Sequence, residues 1–162
     1  MKTVIVYDST YGNTEKIASA IGNAIAVEAK VLRVSAVNPS ELQSIGLLII
    51  GSPTQGGRPT PAIQDFLSKI PEPAIKSINI AVFDTRLPTK LVGIFGYAAA
   101  RIADSLRKKG AALLAPPEGF FVKGKLGPLK EGELERAASW AKGIIAAYGS
   151  DLIRLILIPQ MP

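Results

Sequence analysis

The sequence contains no cysteine and no histidine among its 162 residues. These two absences exclude disulfides, thiol chemistry, zinc fingers and catalysis by imidazole. No remaining side chain cycles easily between redox states, so a redox function requires a bound cofactor. We therefore predict no catalytic side chain and no metal ligands, and expect the chemistry to lie in a cofactor site.

Long apolar runs and targeting signals are also missing. Residues 1–4 lead straight into a strand-like run, without the charged, apolar and small-residue regions of a signal peptide. No apolar run approaches the roughly 20 residues that a membrane span needs. We expect a cytoplasmic protein without membrane contact. The length fits one domain, which we place at residues 1–148, followed by an apolar C-terminal tail at residues 149–162.

Acidic residues are in the minority, and the net charge is +6 with a pI near 9.7. The lysines and arginines are spread along the chain, and no aromatic residues alternate with them. Nucleic-acid binding surfaces usually cluster their basic residues, so we predict no nucleic-acid partner. The same charge favours an acidic protein partner.

Strand-like apolar runs alternate with helical patterns along the chain. Strands are predicted at residues 4–7, 30–34, 47–50, 78–83 and 112–115, the last interrupted by two prolines and resuming at 120–122. Helices are predicted at residues 14–26, 61–70, 94–109 and 130–147. This alternation predicts an α/β fold, a doubly wound five-stranded parallel sheet of order 2-1-3-4-5. Ligands bind such sheets beyond the carboxyl ends of the strands. The loops at residues 8–13, 52–60 and 84–92 are therefore expected to converge.

The first of these loops, "STYGNT" at residues 9–14, joins a strand to a helix. Unpaired backbone N–H groups and the helix dipole form an anion site at such a junction. Gly12 lets the backbone curl around a phosphate, and hydroxyl groups in the loop add donors. The loop has no lysine or arginine, so neutral donors would hold the phosphate. The alternative is that Ser9 or Asn13 only caps the helix.

The loops after strands 3 and 4 also have two interpretations each. "GSPTQGGRPTP" is either a preshaped binding loop or a plain connector, with Thr60 capping the next helix and Pro61 in its first position. In "FDTRLPTK", Asp84 and Arg86 either support a ligand or form a surface ion pair of little energetic value. Trp140 lies far from these loops in sequence and is predicted to pack in the core.

The three loops, taken in order, resemble those of the flavodoxin family. "STYGNT" is similar to the family's phosphate loop, with Ser9, Gly12 and Thr14 matching and Tyr11 standing where the pattern has threonine. "PTQGGRP", "FDTR" and "FVKGKLGPLKEGELERAASWAK" resemble a branch of small flavodoxin-like proteins. The resemblance implies bound FMN, with Gly56 offering its carbonyl to the reduced flavin and the backbone of Thr85 and Arg86 at the pyrimidine edge. The cofactor-binding residues so implied are Ser9, Thr10, Tyr11, Gly12, Asn13, Thr14, Pro53, Thr54, Gln55, Gly56, Gly57, Asp84, Thr85 and Arg86.

Three functions remain open on this evidence. The resemblance implies an FMN-binding electron-transfer protein with a redox partner protein. The alternatives are an NAD(P)H:quinone reductase of the same fold, since small loop residues leave the flavin face open, and a flavin-free binding module. The basic charge, with Arg58 and Arg86 beside the ring, predicts a less negative potential for the second electron than an acidic flavodoxin has. The tail "DLIRLILIP" is expected to pack on its own domain or in a homo-oligomer, not on a membrane.

Overall fold

The computed structural model describes residues 2–25, 28–88 and 96–157, with only the backbone of Leu155. The strands are β1 Thr3–Tyr7, β2 Ala29–Arg33, β3 Leu47–Pro53, β4 Asn79–Arg86 and β5 Glu118–Phe121. The helices are α1 Asn13–Ile25, α2 Pro61–Lys69, α3 Glu72–Ser77, α4 Ala98–Lys108 and α5 Glu133–Leu157. Two 3-10 segments, Val34–Ala36 and Pro39–Ser44, link β2 to β3.

All neighbouring strands pair in parallel, in the order β2-β1-β3-β4-β5, which confirms the predicted fold class. Side chains alternate between the two faces of the sheet, so Val4 and Val6 pack in one cluster and Ile5 and Tyr7 in the other. The first cluster includes residues of α2, α3 and α4, and the second includes residues of α1 and α5. The sheet is therefore covered on both faces, as long parallel sheets require.

The prediction for the fifth strand was wrong for its first part and right, within two residues, for its resumption after the prolines. Residues 112–115 form no strand, although Leu113 makes one isolated bridge to Ile80. The strand lies at Glu118–Phe121 and overlaps the predicted resumption at 120–122, because Pro116 and Pro117 lack the N–H groups that pairing with β4 would use. The helix α3 was not predicted, and residues 94 and 95 of the predicted helix at 94–109 lie outside the described residues.

The strands β3 and β4 each run three residues further than predicted. Ser52 pairs with Asp84 and Pro53 with Thr85, so polar residues that were assigned to loops lie at the ends of central strands. The apolar run of each strand ends before these polar residues, so the sequence pattern does not indicate a strand there. Pairing between β3 and β4 keeps them in the sheet. The extension carries Asp84, Thr85 and Arg86 to the edge where ligands of this fold bind.

Trp140 packs in the core, as predicted. Its ring contacts Phe83 and Phe120 edge to face, with centroids 6.1 Å from each. The same three rings close the α5 side of the sheet beneath the expected binding edge. Trp140 therefore stabilises the fold and does not line the cavity described below.

The tail does not pack on its own domain within the described residues, contrary to that part of the prediction. Helix α5 continues through it to Leu157, and the exposed apolar side chains there are Leu152, Ile153, Ile156 and Leu157. The helix crosses the expected boundary at residue 148 without a break, and the division into domain and tail stays a prediction.

Candidate functional site

The loop after β1 is held by its own hydroxyl group. The buried Ser9 Oγ accepts a hydrogen bond of 3.0 Å from the Gly12 N–H. Gly12 adopts φ +90°, where a side chain would be strained, and its carbonyl accepts the N–H of Lys16 in the first turn of α1. The capping alternative therefore holds in part for Ser9. It does not hold for Asn13, whose amide donates instead to the carbonyl of Leu126.

The backbone N–H groups around this turn are available to a ligand. Within the described residues, the N–H groups of Tyr11, Asn13 and Thr14 have no intramolecular partner. Since buried or half-buried amides are normally satisfied, this arrangement at the start of a 13-residue helix has the donors that an anion site needs. A Cβ on Gly12 would meet nothing within 4 Å, so the space beside the turn is open.

An arginine that the sequence analysis missed braces the same loop. Arg33 ends β2, and the register of the sheet places it beside Tyr7. Its Nη1 donates to Asp8 Oδ1 at 3.2 Å and to the carbonyl of Ser9 at 3.0 Å. The carboxylate of Asp8 also accepts the Ser9 N–H at 2.9 Å. Only the pairing of β1 with β2 reveals this contact, because 24 residues separate Arg33 from Ser9.

The loop after β3 closes on itself in a two-residue turn. Gln55 and Arg58 exchange backbone hydrogen bonds of 2.9 and 3.1 Å. Between them Gly56 and Gly57 have φ of +57° and +76°, the conformation of the tight hairpin turn that glycine favours. A Cβ on Gly56 would also meet nothing within 4 Å, so the space beside this turn is open.

The end of β4 contains a buried ion pair, not the surface pair considered from the sequence. Asp84 is fully buried, and its carboxylate accepts two hydrogen bonds from Arg86, of 2.7 and 2.8 Å. The guanidinium of Arg86 also stacks on Tyr97, 3.5 Å from the ring centroid. It fills the space over Gly119, where a Cβ would overlap it. Burial raises the pKa of Asp84, and the nearby Arg86 opposes that rise.

Asp84 also anchors the start of α4. Its second carboxylate oxygen accepts the Ala99 N–H at 2.9 Å, and Thr54 Oγ1 accepts the Ala98 N–H at 3.1 Å. A carboxylate at a helix N-terminus is stabilised by the helix dipole. Asp84 therefore lies behind the site and positions its wall. The negative charge of Asp84 offsets the positive charge of Arg86. The predicted effect of Arg86 on the reduction potential of a bound flavin is therefore weakened.

Three hydrogen bonds join the loops to one another. Thr14 Oγ1 and Thr85 Oγ1 lie 2.8 Å apart and are both buried. The amide of Gln55 donates to Thr10 Oγ1 at 2.9 Å, and the Thr54 N–H donates to the carbonyl of Thr85 at 2.9 Å. The three loops that the fold class predicted to converge do converge, and each bonds to another.

A cavity of about 580 Å³ lies between these loops. This volume falls within the ~300–1,000 Å³ typical of small-ligand sites. The predicted residues that line it are Ser9, Thr10, Tyr11, Asn13, Thr14, Pro53, Thr54, Gln55, Gly56, Gly57, Thr85 and Arg86. Gly12 shapes the loop from within, and Asp84 lies behind the wall. Residues 89–92 of the predicted third loop lie outside the described residues.

The loops after β4 and β5 contribute lining residues that the sequence analysis missed. Leu87, Val122 and Lys125 also line the cavity. Val122 bridges to Leu129, which closes the loop that contains Lys125. The bond from Asn13 to the Leu126 carbonyl ties this loop to the start of α1. Lys125 forms no ion pair within the described residues, so its charge is available to a ligand. The other cation of the described lining, Arg86, is paired with Asp84.

Comparison with known proteins agrees with this architecture. The profile of the Flavodoxin family matches residues 5–140, most of the chain. The chain belongs to the flavodoxin family. Flavodoxins bind FMN and transfer electrons, and the fold, the loops and the family match agree on this function class. No curated protein matches the chain.

Solved flavodoxin structures share the whole fold. A flavodoxin from the domain Archaea is 24% identical with a TM-score of 0.76, over 92% of this chain and 99% of that one. Oxidised flavodoxin 1 from Bacillus cereus is 20% identical with a TM-score of 0.72, over 90% and 98% of the two chains. The rubredoxin oxygen:oxidoreductase of Desulfovibrio gigas is 24% identical with a TM-score of 0.72, over 93% of this chain but 37% of that one. Among the described helices of this flavodoxin, none is both long and apolar enough to cross a membrane.

Proposed function

We propose that the cavity binds FMN, with the phosphate at the loop after β1 and the ring between the loops after β3 and β4. The observation that carries this proposal is the set of unpartnered N–H groups beside Gly12, at the start of α1 and on the wall of the cavity. Such a set fits a phosphate without any arginine in the loop. The residues present therefore fit the cofactor that the family binds.

The protein's own residues then perform three tasks. The N–H groups of Tyr11, Asn13 and Thr14 hold the phosphate, and Lys125 adds charge at its edge. The wall formed by Leu87 and Val122 excludes water from the ring, and the Gly56–Gly57 turn leaves room beside it. When bound, FMN itself supplies the one-electron chemistry.

The lining of the cavity favours electron transfer over acid–base catalysis. Among the described lining residues no carboxylate or imidazole is present, so neither of these common bases faces the cavity. The runner-up, an NAD(P)H:quinone reductase, is favoured by one observation, the absence of bulky side chains at Gly56 and Gly57. Steady-state oxidation of NADPH with a quinone separates the two. We expect negligible turnover by the isolated protein, and rapid turnover would contradict the electron-transfer proposal.

FMN binding is tested by titrating the apoprotein with FMN and with riboflavin, following flavin fluorescence. Riboflavin has the same ring but no phosphate. We expect FMN to bind more tightly by at least about tenfold, which corresponds to ~1.4 kcal/mol. Equal affinity for the two would refute the phosphate site, and no binding of either would favour a flavin-free module on this fold.

We further expect an acidic redox partner, because the chain carries a net charge of +6. Self-association through residues 151–157 also remains a proposal, supported by the exposed apolar side chains at the end of α5. Sizing of the full chain against a chain ending at Ser150 tests it. An unchanged size would remove the tail as an oligomer contact.

A further inference from the structure

A second concave surface lies between α2 and α4, next to the ring end of the cavity. It encloses about 590 Å³. The residues that line it are Arg58, Pro59, Gln64, Leu67, Arg101, Asp104, Ser105 and Lys108. We call this surface the basic cleft, because three of its residues are cations and one is an anion.

The single carboxylate of the basic cleft is partly neutralised. Asp104 Oδ1 lies 3.6 Å from Arg107 Nη1, one turn further along α4. Arg58 and Lys108 are exposed and have no ion pair within the described residues. The cleft therefore presents a net positive charge to solvent, on a protein that is already basic.

Helix stability does not account for these cations as a set. Lys108 lies at the C-terminal end of α4, where the helix dipole favours a positive charge. Arg101 lies near the N-terminal end of the same helix, where the dipole disfavours one. Arg58 lies outside the helices, in the turn before α2. The helix dipole therefore does not account for the positions of Arg58 and Arg101.

The cleft is braced by hydrogen bonds and lies beside the first cavity. Lys109 Nζ donates to the carbonyl of Leu67 at 2.6 Å, which fastens α4 to the end of α2. Gln64 donates to the carbonyl of Pro59 at 2.8 Å, and the backbone of Arg58 is fixed by its two bonds to Gln55. The same Gln55–Arg58 turn contributes Gly56 and Gly57 to the first cavity. A partner seated on the cleft would therefore lie beside the proposed ring site.

We infer that the basic cleft docks the acidic face of a redox partner protein. The inference rests on the proposed function, since it places the partner next to the flavin ring. The cations are exposed and spread over two elements, so they suit the broad, salt-sensitive attraction of a protein surface. No aromatic side chain lines the cleft in the described part of the chain, so it lacks the stacking platform that single-stranded nucleic acids use.

The experiment titrates an acidic [2Fe–2S] ferredoxin into the ¹⁵N-labelled protein at low ionic strength, with and without FMN. We expect amide signals of α2, α4 and the Gln55–Arg58 turn to shift or broaden, and the effect to disappear at high salt. Effects spread evenly over the surface, or centred on another face, would overturn the inference. Binding of FMN is measured on the same samples by absorbance, so a failure of the cofactor proposal is seen separately from a failure of docking.

Charge reversal with a matched control locates the surface. The variant Arg58→Glu/Lys108→Glu is compared with Lys30→Glu/Lys142→Glu, which makes the same change in net charge at exposed lysines of β2 and α5. We expect the first variant to weaken ferredoxin binding by about tenfold or more relative to the second. Equal weakening would show that only net charge acts, and would overturn the docking site. Tighter binding of a single-stranded oligonucleotide than of ferredoxin would overturn the assignment to a protein partner.

Discussion

The two ends of the cavity are built on different physical principles. The proposed phosphate end consists of backbone N–H groups, a glycine with φ +90° and a serine hydroxyl, which are neutral, with Lys125 at its edge. The ring end depends on a buried carboxylate that binds Arg86 and the first amides of α4. One end therefore depends on backbone conformation, and the other on a charge that burial would otherwise disfavour.

This difference predicts which substitutions each end tolerates. A neutral backbone site loses ligand affinity when its conformation is strained, while the remainder of the fold stays intact. A buried ion pair loses stability when one partner is removed, because the other charge is left without compensation. The predictions below test this contrast from the largest expected effect to the smallest.

Removing the arginine of the buried pair is expected to have the largest effect. In Arg86→Ala the carboxylate of the fully buried Asp84 loses two hydrogen bonds and its counter-charge. We expect the free energy of unfolding at neutral pH to fall by about 3–5 kcal/mol. The control is Arg107→Ala, which breaks the exposed pair with Asp104 and should cost less than ~1 kcal/mol. Urea denaturation measures both, and equal losses would contradict the contrast.

The same variant should respond to pH in a defined direction. Burial raises the pKa of Asp84, and removing Arg86 removes a group that lowers it. The folded variant then binds a proton at a higher pH than the unfolded chain does, so its stability rises as the pH falls. We expect Arg86→Ala to be more stable at pH 5 than at pH 8 relative to the wild type. A difference that does not change with pH would show that Asp84 stays charged.

Strain in the phosphate loop is expected to have the next largest effect. Gly12→Ala places a side chain at φ +90°, and we expect a cost of about 1–2 kcal/mol together with weaker FMN binding. Gly143→Ala is the matched control, because a Cβ meets nothing within 4 Å at either position. Gly143 lies inside α5, so alanine there should stabilise the protein by roughly 0.5–1 kcal/mol. A change in the free energy of unfolding of the same sign for both variants would refute the conformational argument.

The charge of Lys125 should have a smaller, ligand-specific effect. Lys125→Ala is expected to weaken FMN binding up to about fivefold at low salt, equivalent to ~1 kcal/mol. Riboflavin binding should not change, since it has no phosphate. Lys123→Ala, in the same loop but outside the cavity lining, is the control. An equal loss for riboflavin would place Lys125 away from the phosphate.

The exposed Arg58 is expected to have the smallest effect, on the potential of bound flavin. Arg58→Gln should make the potential for the second electron more negative by less than about 59 mV, the one-electron equivalent of a tenfold change. Lys142→Gln, on the third turn of α5, makes the same charge change away from the cavity. Redox titration of both variants measures the effect. An equal shift would assign it to net charge and not to the position of Arg58.

Much of the architecture could be predicted from local patterns. The apolar runs of β1 and β3 and the loop around Gly12 are signals that lie within a few residues, and the structure confirms the strand order that they implied. The first part of the predicted fifth strand was wrong, because the run at residues 112–115 has the composition of a strand but ends at two prolines, while the predicted resumption at 120–122 overlaps β5. The exposed helical course of the tail was not foreseen, since its apolar residues suggested burial.

The missed parts of the site share one cause. Arg33, Lys125 and Tyr97 lie at the site through strand pairing, loop closure or helix docking, and none stands beside its partner in sequence. In the sequence alone, such a lysine or arginine cannot be told from one that is only exposed to solvent. Its role becomes visible only when the fold supplies a carboxylate, a carbonyl or a cavity nearby.

By itself, the sequence determined the fold class and the local conformation of the loop after β1, because hydrophobic periodicity and glycine placement act over short distances. The tertiary structure alone decided that Asp84 and Arg86 form a buried support and not a surface pair. It also decided that Arg33 braces the loop, and that the cations of α4 and of the turn before α2 face one cleft. The physical reason is that burial and electrostatic pairing depend on distances between elements, which no local pattern encodes.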